Sequence, residues 1–197
     1  MFEVELASRG GAPLYQPFHI LKALWLVRET EPLGRKELSE KLGIGEGSAR
    51  KLVSYLENKG WASTTRQGIS LSPRGLELLD DIGLKGKEVH AGNITVGEID
   101  FAIRLRGFAG MVSSGIAQRD EAIKVGASGA TTLVFKGGLR FTDGFDVDES
   151  DSRAARVLRQ DFDLREGDVL IIGCSPEPGL AMDGAFAAAV LTLGSEK

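Results

Sequence analysis

Residues 34–61 read GRKELSEKLGIGEGSARKLVSYLENKGW, and the spacing inside this stretch sets the architecture of the first half of the chain. Leu38 and Leu42 give Arg35–Leu42 one apolar side, which predicts a short helix. Gly43 is a natural end for it, because a residue without Cβ enters the left-handed region freely. Ile44-Gly45-Glu46-Gly47 is room only for a tight connection. From Ser48 to Lys59, Ala49, Leu52, Val53 and Leu56 recur at i, i+3, i+4 and i+7, the stripe of a second, amphipathic helix closed by Gly60. Arg50, Lys51, Ser54 and Tyr55 fall on its other faces.

N-terminal to this stretch, Phe18, Ile20, Leu21, Leu24, Trp25 and Val27 recur at helical spacing between Gln16 and Glu29. Pro17 suits the first turn of that helix, and Pro32 and Gly34 end the pattern. Downstream, Trp61–Arg66 and Ile69–Leu71 read as two short strands turning at Gln67-Gly68. Ser72-Pro73 is an N-cap followed by a first-turn proline, opening a helix through Leu76, Leu78 and Leu79.

Composition narrows the class. The chain has 197 residues, 42% of them apolar, and no apolar run near the roughly 18 residues a membrane helix needs. Met1–Ser8 carries acids where a secretory leader carries bases. The single cysteine, Cys174, can form neither an internal disulfide nor a cysteine-based zinc site, and it follows a buried strand as a small core residue. These features predict a reduced, cytoplasmic protein. The formal charge of −4 is unevenly spread: residues 1–84 hold 11 basic against 11 acidic side chains, and the remainder holds 13 against 17. Between Gly34 and Gly75 lie eight basic residues against four acidic ones, a local excess on the elements above. A solvated helical face would also explain that excess, so the order of elements has to decide.

Helix, short helix, tight turn, helix, hairpin, helix is the order of a winged helix-turn-helix. The 34–61 stretch resembles the helix-turn-helix of archaeal and bacterial regulators, and RQGISLSPRGLELL (66–79) resembles their wing and following helix. The resemblance implies that Ser48–Lys59 is a recognition helix able to enter the major groove of duplex DNA. Ser48, Arg50, Lys51 and Ser54 would then meet base edges or phosphates. Thr64, Thr65, Arg66 and Gln67 would reach the neighbouring backbone or minor groove from the wing. Arg35 and Lys36 would contact phosphates, adding affinity and register rather than sequence information. A winged helix can also serve as a protein-binding module, with Glu46 and Glu57 counting against DNA.

The stretch Asp80–Lys87 loses apolar periodicity and gains Gly and charge, which predicts a boundary near residue 85 and domains of 1–84 and 85–197. Beyond it the pattern predicts a strand over Thr95–Arg106, alternating from Ile99 onward, and a helix Met111–Val125, with Ile116, Ala122 and Ile123 on the inward side. A hairpin of Ala130–Lys136 and Leu139–Thr142, an acidic turn Asp143–Asp151 and a helix Ser152–Asp161 follow. A buried strand Asp168–Gly173 and an Ala-rich helix Gly179–Leu193 close the chain. The expected class is therefore α+β in two domains, the second a small two-layer sheet with covering helices. SGIAQRDEAIKVGASGATTLVF (114–135) resembles the hallmark of a small archaeal family in which a winged helix precedes an uncharacterised domain. That domain resembles in turn the GAD domain of some aspartyl-tRNA synthetases and amidotransferases.

Chemistry in the second half is sparse. Gln118, Arg119 and Lys124 beside the Gly/Ser/Thr-rich stretch of Ser128 and Thr131, with Arg104 and Arg106 on one strand face, could hold an anionic metabolite. An exposed helix surface beside turn glycines is the other account. Asp143, Asp146, Asp148, Glu149 and Asp151 lack the spacing of a calcium loop. His19 and His90 stand apart, and Asp161, Asp163, Glu166 and Asp168 bracket a turn. No metal, cofactor or enzyme chemistry is expected. The sequence thus predicts a double-stranded-DNA-binding transcriptional regulator, without a membrane, whose C-terminal domain senses a small effector, forms a homodimer, or both. The Ala-rich helix offers one dimer surface. An RNA- or translation-associated module is the alternative, and an enzyme fused to a DNA-binding domain is the less favoured third.

Overall fold

Pro17 opens α1 (Pro17–Thr30) where its missing N–H leaves no bond unmade, and every residue from Phe18 to Val27 is buried. The computed structural model describes residues 15–194, so the acidic Met1–Ser8 stretch lies outside them. The chain divides into two units between Asp81 and Ile82, giving an α+β protein of seven helices and two sheets among the described residues.

In the first unit, α1 packs with α2 (Arg35–Leu42) and α4 (Pro73–Asp81), and α2 packs with α3 (Glu46–Asn58). A hairpin of β1 (Ala62–Thr64) and β2 (Ile69–Leu71) lies between α3 and α4, paired Ala62 with Leu71 and Thr64 with Ile69. Leu33 adds a third row to this small sheet, exchanging bonds of 3.0 and 2.9 Å with Ile69. Ser72 Oγ accepts from Gly75 N at 3.1 Å and donates to Gly60 O at 2.5 Å, so one hydroxyl caps α4 and ties it to the end of α3. The glycine at 75 is required: a Cβ there would stand 2.1 Å from the Trp61 carbonyl oxygen.

The second unit is built on a five-stranded antiparallel sheet ordered β3 (Lys85–Val89), β4 (Ile99–Leu105), β7 (Val169–Ser175), β5 (Gly129–Phe135), β6 (Leu139–Phe141). β7, VLIIGCS, is buried at every position, which is why it reads as an unbroken apolar run rather than an alternating one. On one face α6 (Val147–Phe162) covers Ala102, Leu133, Leu170 and Ile172 with Ala155, Leu158 and Phe162. On the other lie α5 (Ile116–Lys124) and α7 (Pro178–Gly194). Helices cover both faces, which corrects the two-layer expectation: β7 is buried on both sides and needs two covers.

Small residues set how close α7 comes. A Cβ on Gly173 would stand 2.3 Å from Ala181 O and 2.5 Å from Ala185 N, so α7 rests directly on the strand backbone. Gly184 does the same toward α5, where an added Cβ would meet Ala122 Cβ at 3.2 Å and Ala127 Cβ at 2.6 Å. The alanines of α7 are consumed by this packing, with Ala181, Ala185, Ala188 and Ala189 all buried, which removes them as a surface for a second copy.

Four local expectations change. Lys85 begins an edge strand instead of ending a linker, because Arg104 pairs with it in the ladder. The stretch Met111–Val125 is not one helix: a 3-10 turn spans Ala109–Met111 and α5 starts only after Gly115, whose φ of 70° breaks the path. On α5 the inward residues are Gln118 and Ala122, while Ile116 and Ile123 face solvent. The acidic stretch Asp143–Asp151 enters α6, where Asp146 Oδ1 accepts from Asp148 N at 3.0 Å and caps a first turn. Asp151 (φ −154°, ψ 91°) then breaks the helix and re-caps it, accepting from Ala154 N at 2.9 Å.

Gly173→Ala is expected to destabilise the chain by about 1–3 kcal/mol, since backbone must shift to admit the methyl group. Gly179→Ala, at a position with nothing within 4 Å, should be neutral or slightly stabilising in denaturant unfolding. Equal midpoints for the two variants would contradict the close approach. The backbone bond from Ala154 holds the Asp151 carboxyl below its ordinary value. Its contribution is therefore complete above the unfolded-state value and lost as pH falls through the lower folded one. Asp151→Ala should lower the unfolding midpoint at pH 7, with the gap to wild type closing in strong acid.

Candidate nucleic-acid interface

Both helices of the 34–61 stretch begin at glycines that cannot cap through a side chain, Gly34 before α2 and Gly45 before α3. Their first-turn N–H groups point outward with the positive end of each helix dipole. The turn between them is fixed from three sides. Gly43 is left-handed (φ 66°), Ile44 N donates to Ser39 O at 3.2 Å, and Ser39 Oγ donates to Ile44 O at 2.6 Å. This arrangement sets the N-terminal turns of α2 and α3 against one hollow of about 230 Å³, lined by Arg35, Lys36, Glu46 and Arg50.

α3 buries Ser48, Ala49, Leu52, Val53 and Leu56. The opposite stripe, Gly47, Arg50, Lys51, Ser54 and Asn58, is exposed. Ser48 is thereby removed from the set expected to meet DNA. It stands four residues before Leu52, hence on the same face, and only 8% of it is exposed. Tyr55 packs edge-on to Trp61 at 6.1 Å between ring centres, under the Lys59 ammonium. Arg35, Arg50, Lys51 and Arg66 are exposed and form no ion pair with any described residue. Lys36 is held only loosely, 3.9 Å from an exposed Glu40. Glu46, the one acid in the hollow, was not among the expected site residues; its place follows from α3 beginning at residue 46 instead of 48.

At the hairpin tip, Thr65 N donates to Gly68 O at 2.9 Å and Thr65 Oγ1 accepts from Gln67 N at 3.1 Å. Gly68 has φ 142° and lies against the Leu33 backbone, so the tip is pinned at its base. Thr65, Arg66 and Gln67 are all exposed there.

The residues considered for an anion pocket in the second unit do not come together. Arg104 faces α6, on the side of Ala102, and its guanidinium donates to Gly83 O (Nε 3.0 Å, Nη2 2.9 Å) and Phe162 O (Nη1 2.7 Å). Burial, with the Arg106 charge beside it, lowers the Arg104 guanidinium from its ordinary value. Arg106 reaches Asp163 at 3.7 Å and Asp168 at 4.0 Å. Thr131 Oγ1 donates to Ile94 O at 2.9 Å. α5 lies on the opposite face of the sheet: Gln118 is buried and donates to Thr192 at 3.2 Å, Arg119 bonds Asp120 at 3.0 Å, and Lys124 bonds Glu121 at 2.5 Å. Ser128 is exposed, its N–H bonded to Cys174 O at 2.9 Å. Strand alternation separates the two groups, because Arg104 shares its face with Ala102 while α5 covers the other.

The acids serve as caps and pairs. Asp148 is joined to Arg159, which holds its carboxyl below the ordinary range. Asp168 accepts from Gly107 N and Arg165 N at 3.2 and 3.0 Å, and Glu166 accepts from Gly137 N at 2.9 Å. Among the described residues no three His, Cys, Asp or Glu side chains are grouped to hold a metal ion, and no helix is long and apolar enough to cross a membrane.

Comparison with known proteins follows the same division. Residues 19–77 match the PH0730-like N-terminal domain, and residues 96–193 match a domain of unknown function, DUF4443. A solved structure, a hypothetical protein PH0730 from Pyrococcus horikoshii OT3, aligns with a TM-score of 0.68 and 29% identity over 90% of this chain and 92% of that one. The central glycolytic genes regulator of Bacillus subtilis (strain 168) is 39% identical over 56 residues, which are 28% of this chain. That match spans only 16% of the regulator's length. The chain is therefore similar to a PH0730-like N-terminal domain over its first unit and to a DUF4443 domain over its second.

Proposed function

We propose that this protein is a transcriptional regulator that binds duplex DNA through its first unit, a winged helix-turn-helix with α3 as the recognition helix. The observation that carries the reading is the open cationic edge: Arg35, Lys36 and Arg50 around the hollow where two uncapped helix N-termini meet. Backbone N–H groups, helix dipoles and unpaired guanidinium groups together suit a phosphate backbone. Lys51 and Ser54 continue along the exposed face of α3 toward base edges, and Arg66 at the hairpin tip reaches the neighbouring backbone. The regulator of glycolytic genes that resembles part of this chain supports the same class of activity. The second unit, whose Arg104 and Arg106 are spent on backbone carbonyls and acids, acts in this reading as an assembly module rather than as an anion sensor.

Selection from a random duplex pool at low and near-physiological salt tests the reading. Specific sites should enrich at both, since base readout survives salt that removes purely phosphate-driven binding. No enrichment, or preference for structured RNA, would overturn it. In the same assay Arg50→Ala with Lys51→Ala should weaken binding at least about tenfold, and lost phosphate contacts should flatten the salt dependence by about 0.9 in log–log slope for each. Both side chains lie off the buried stripe, so the thermal midpoint should not move. Unchanged affinity would remove α3 from the interface.

A further inference from the structure

Among the described residues of its own unit, nothing covers the outward face of α5. Ile116 and Ile123 are 53% and 49% exposed, although both are large, β-branched and apolar. They stand seven residues apart, two helical turns on one line. Arg119 and Asp120 fall between them, about 50° to either side of that line at about 100° per residue. Within the chain, Arg119 Nε and Nη2 both donate to Asp120 Oδ1, at 3.2 and 3.0 Å. Oδ2 of Asp120 and Nη1 of Arg119 have no described partner. The stripe Ile-x-x-Arg-Asp-x-x-Ile is thus an apolar line with a positive flank and a negative flank.

We infer that this face is the contact through which two copies of the chain form a two-fold dimer, with their α5 helices side by side and parallel. Charge complementarity chooses both the partner and the direction. A two-fold axis along the helices turns each copy's Arg119 flank onto the other's Asp120 flank, making two reciprocal ion pairs, while Ile116 packs on Ile116 and Ile123 on Ile123. An antiparallel two-fold pair would instead place Arg119 against Arg119 and Asp120 against Asp120, and like charges at an interface are strongly disfavoured. The turn bearing the exposed Phe145 is tied to the start of α5, where Thr142 Oγ1 donates to Ser114 O at 2.8 Å. This inference concerns the second unit alone and deepens the assembly role proposed above. Its test reads mass and not DNA binding, so either reading can fail while the other stands.

The experiment is sedimentation velocity on the full chain across a concentration series, for wild type, Arg119→Asp, Asp120→Arg, and an equimolar mixture of the two variants. Wild type should approach twice 21.1 kDa. Each variant alone places like charges on both flanks and should raise the dimer Kd at least about tenfold. The mixture restores opposite charges on both flanks and should recover a dimer, which also shows that both variants fold. A wild type that stays monomeric, variants that dimerise as wild type does, or a mixture that stays monomeric would each overturn the assignment.

Discussion

The seating of α7 on the sheet through Gly173 is the contact from which the second unit's layout follows. No side chain separates the helix from the strand there, so the backbone of α7 meets the backbone of β7. A helix held that close leaves little depth for the element beside it, and Gly184 lets α5 come in over Ala122 and Ala127. The buried side of α5 therefore consists of Ala122 and Gln118, the latter bonded to Thr192 of α7. Two isoleucines that helical periodicity would turn inward are displaced to the outer face. Tight packing at one glycine thus decides which residues the unit presents to its surroundings.

Polar groups in the same unit are spent on construction. Arg104 lies beneath α6 and satisfies carbonyls at Gly83 and at the end of α6, places where helix and strand leave acceptors unpaired. Asp100 bonds Ala91 N and Thr95, and Asp168 bonds Gly107 and Arg165, so both buried carboxylates organise turns around β4 and β7. A charged residue in such a position stabilises because its hydrogen bonds replace lost hydration. By the same token it is withdrawn from any ligand.

The first unit distributes its charges in the opposite way. Its core is built mostly of apolar residues from α1 and the inner faces of α2, α3 and β2, with His19, Lys22, Ser39 and Ser48 the polar side chains buried among them. Every basic residue expected at DNA remains on the outside, and four of them are without an ion pair among the described residues. The tight turn at Gly43, locked by Ser39, is the device that converts two short helices into one cationic edge. Neither helix alone would gather Arg35 and Arg50 about one hollow.

The first unit was legible because its elements are local. Helix periods, the glycine stop at 43, the Ser72-Pro73 start and the hairpin turn are properties of neighbouring residues, and the apolar stripe of α3 marks its exposed side with them. Ser48 was misplaced, by reading its type without its position four residues before Leu52, and α3 starts two residues before the expected Ser48. In the second unit the sequence determined that strands and helices are mixed and that β7 is buried. It could not reveal β3, whose pattern KGKEV has no apolar alternation and which exists because β4 offers it an edge. Nor could it place Arg104 and Arg119 on opposite sides of a sheet, or turn Ile116 and Ile123 outward. Those outcomes depend on tertiary contacts, Gly173 against Ala181 and Gly184 against Ala122, and on a depth of packing that only the folded chain sets.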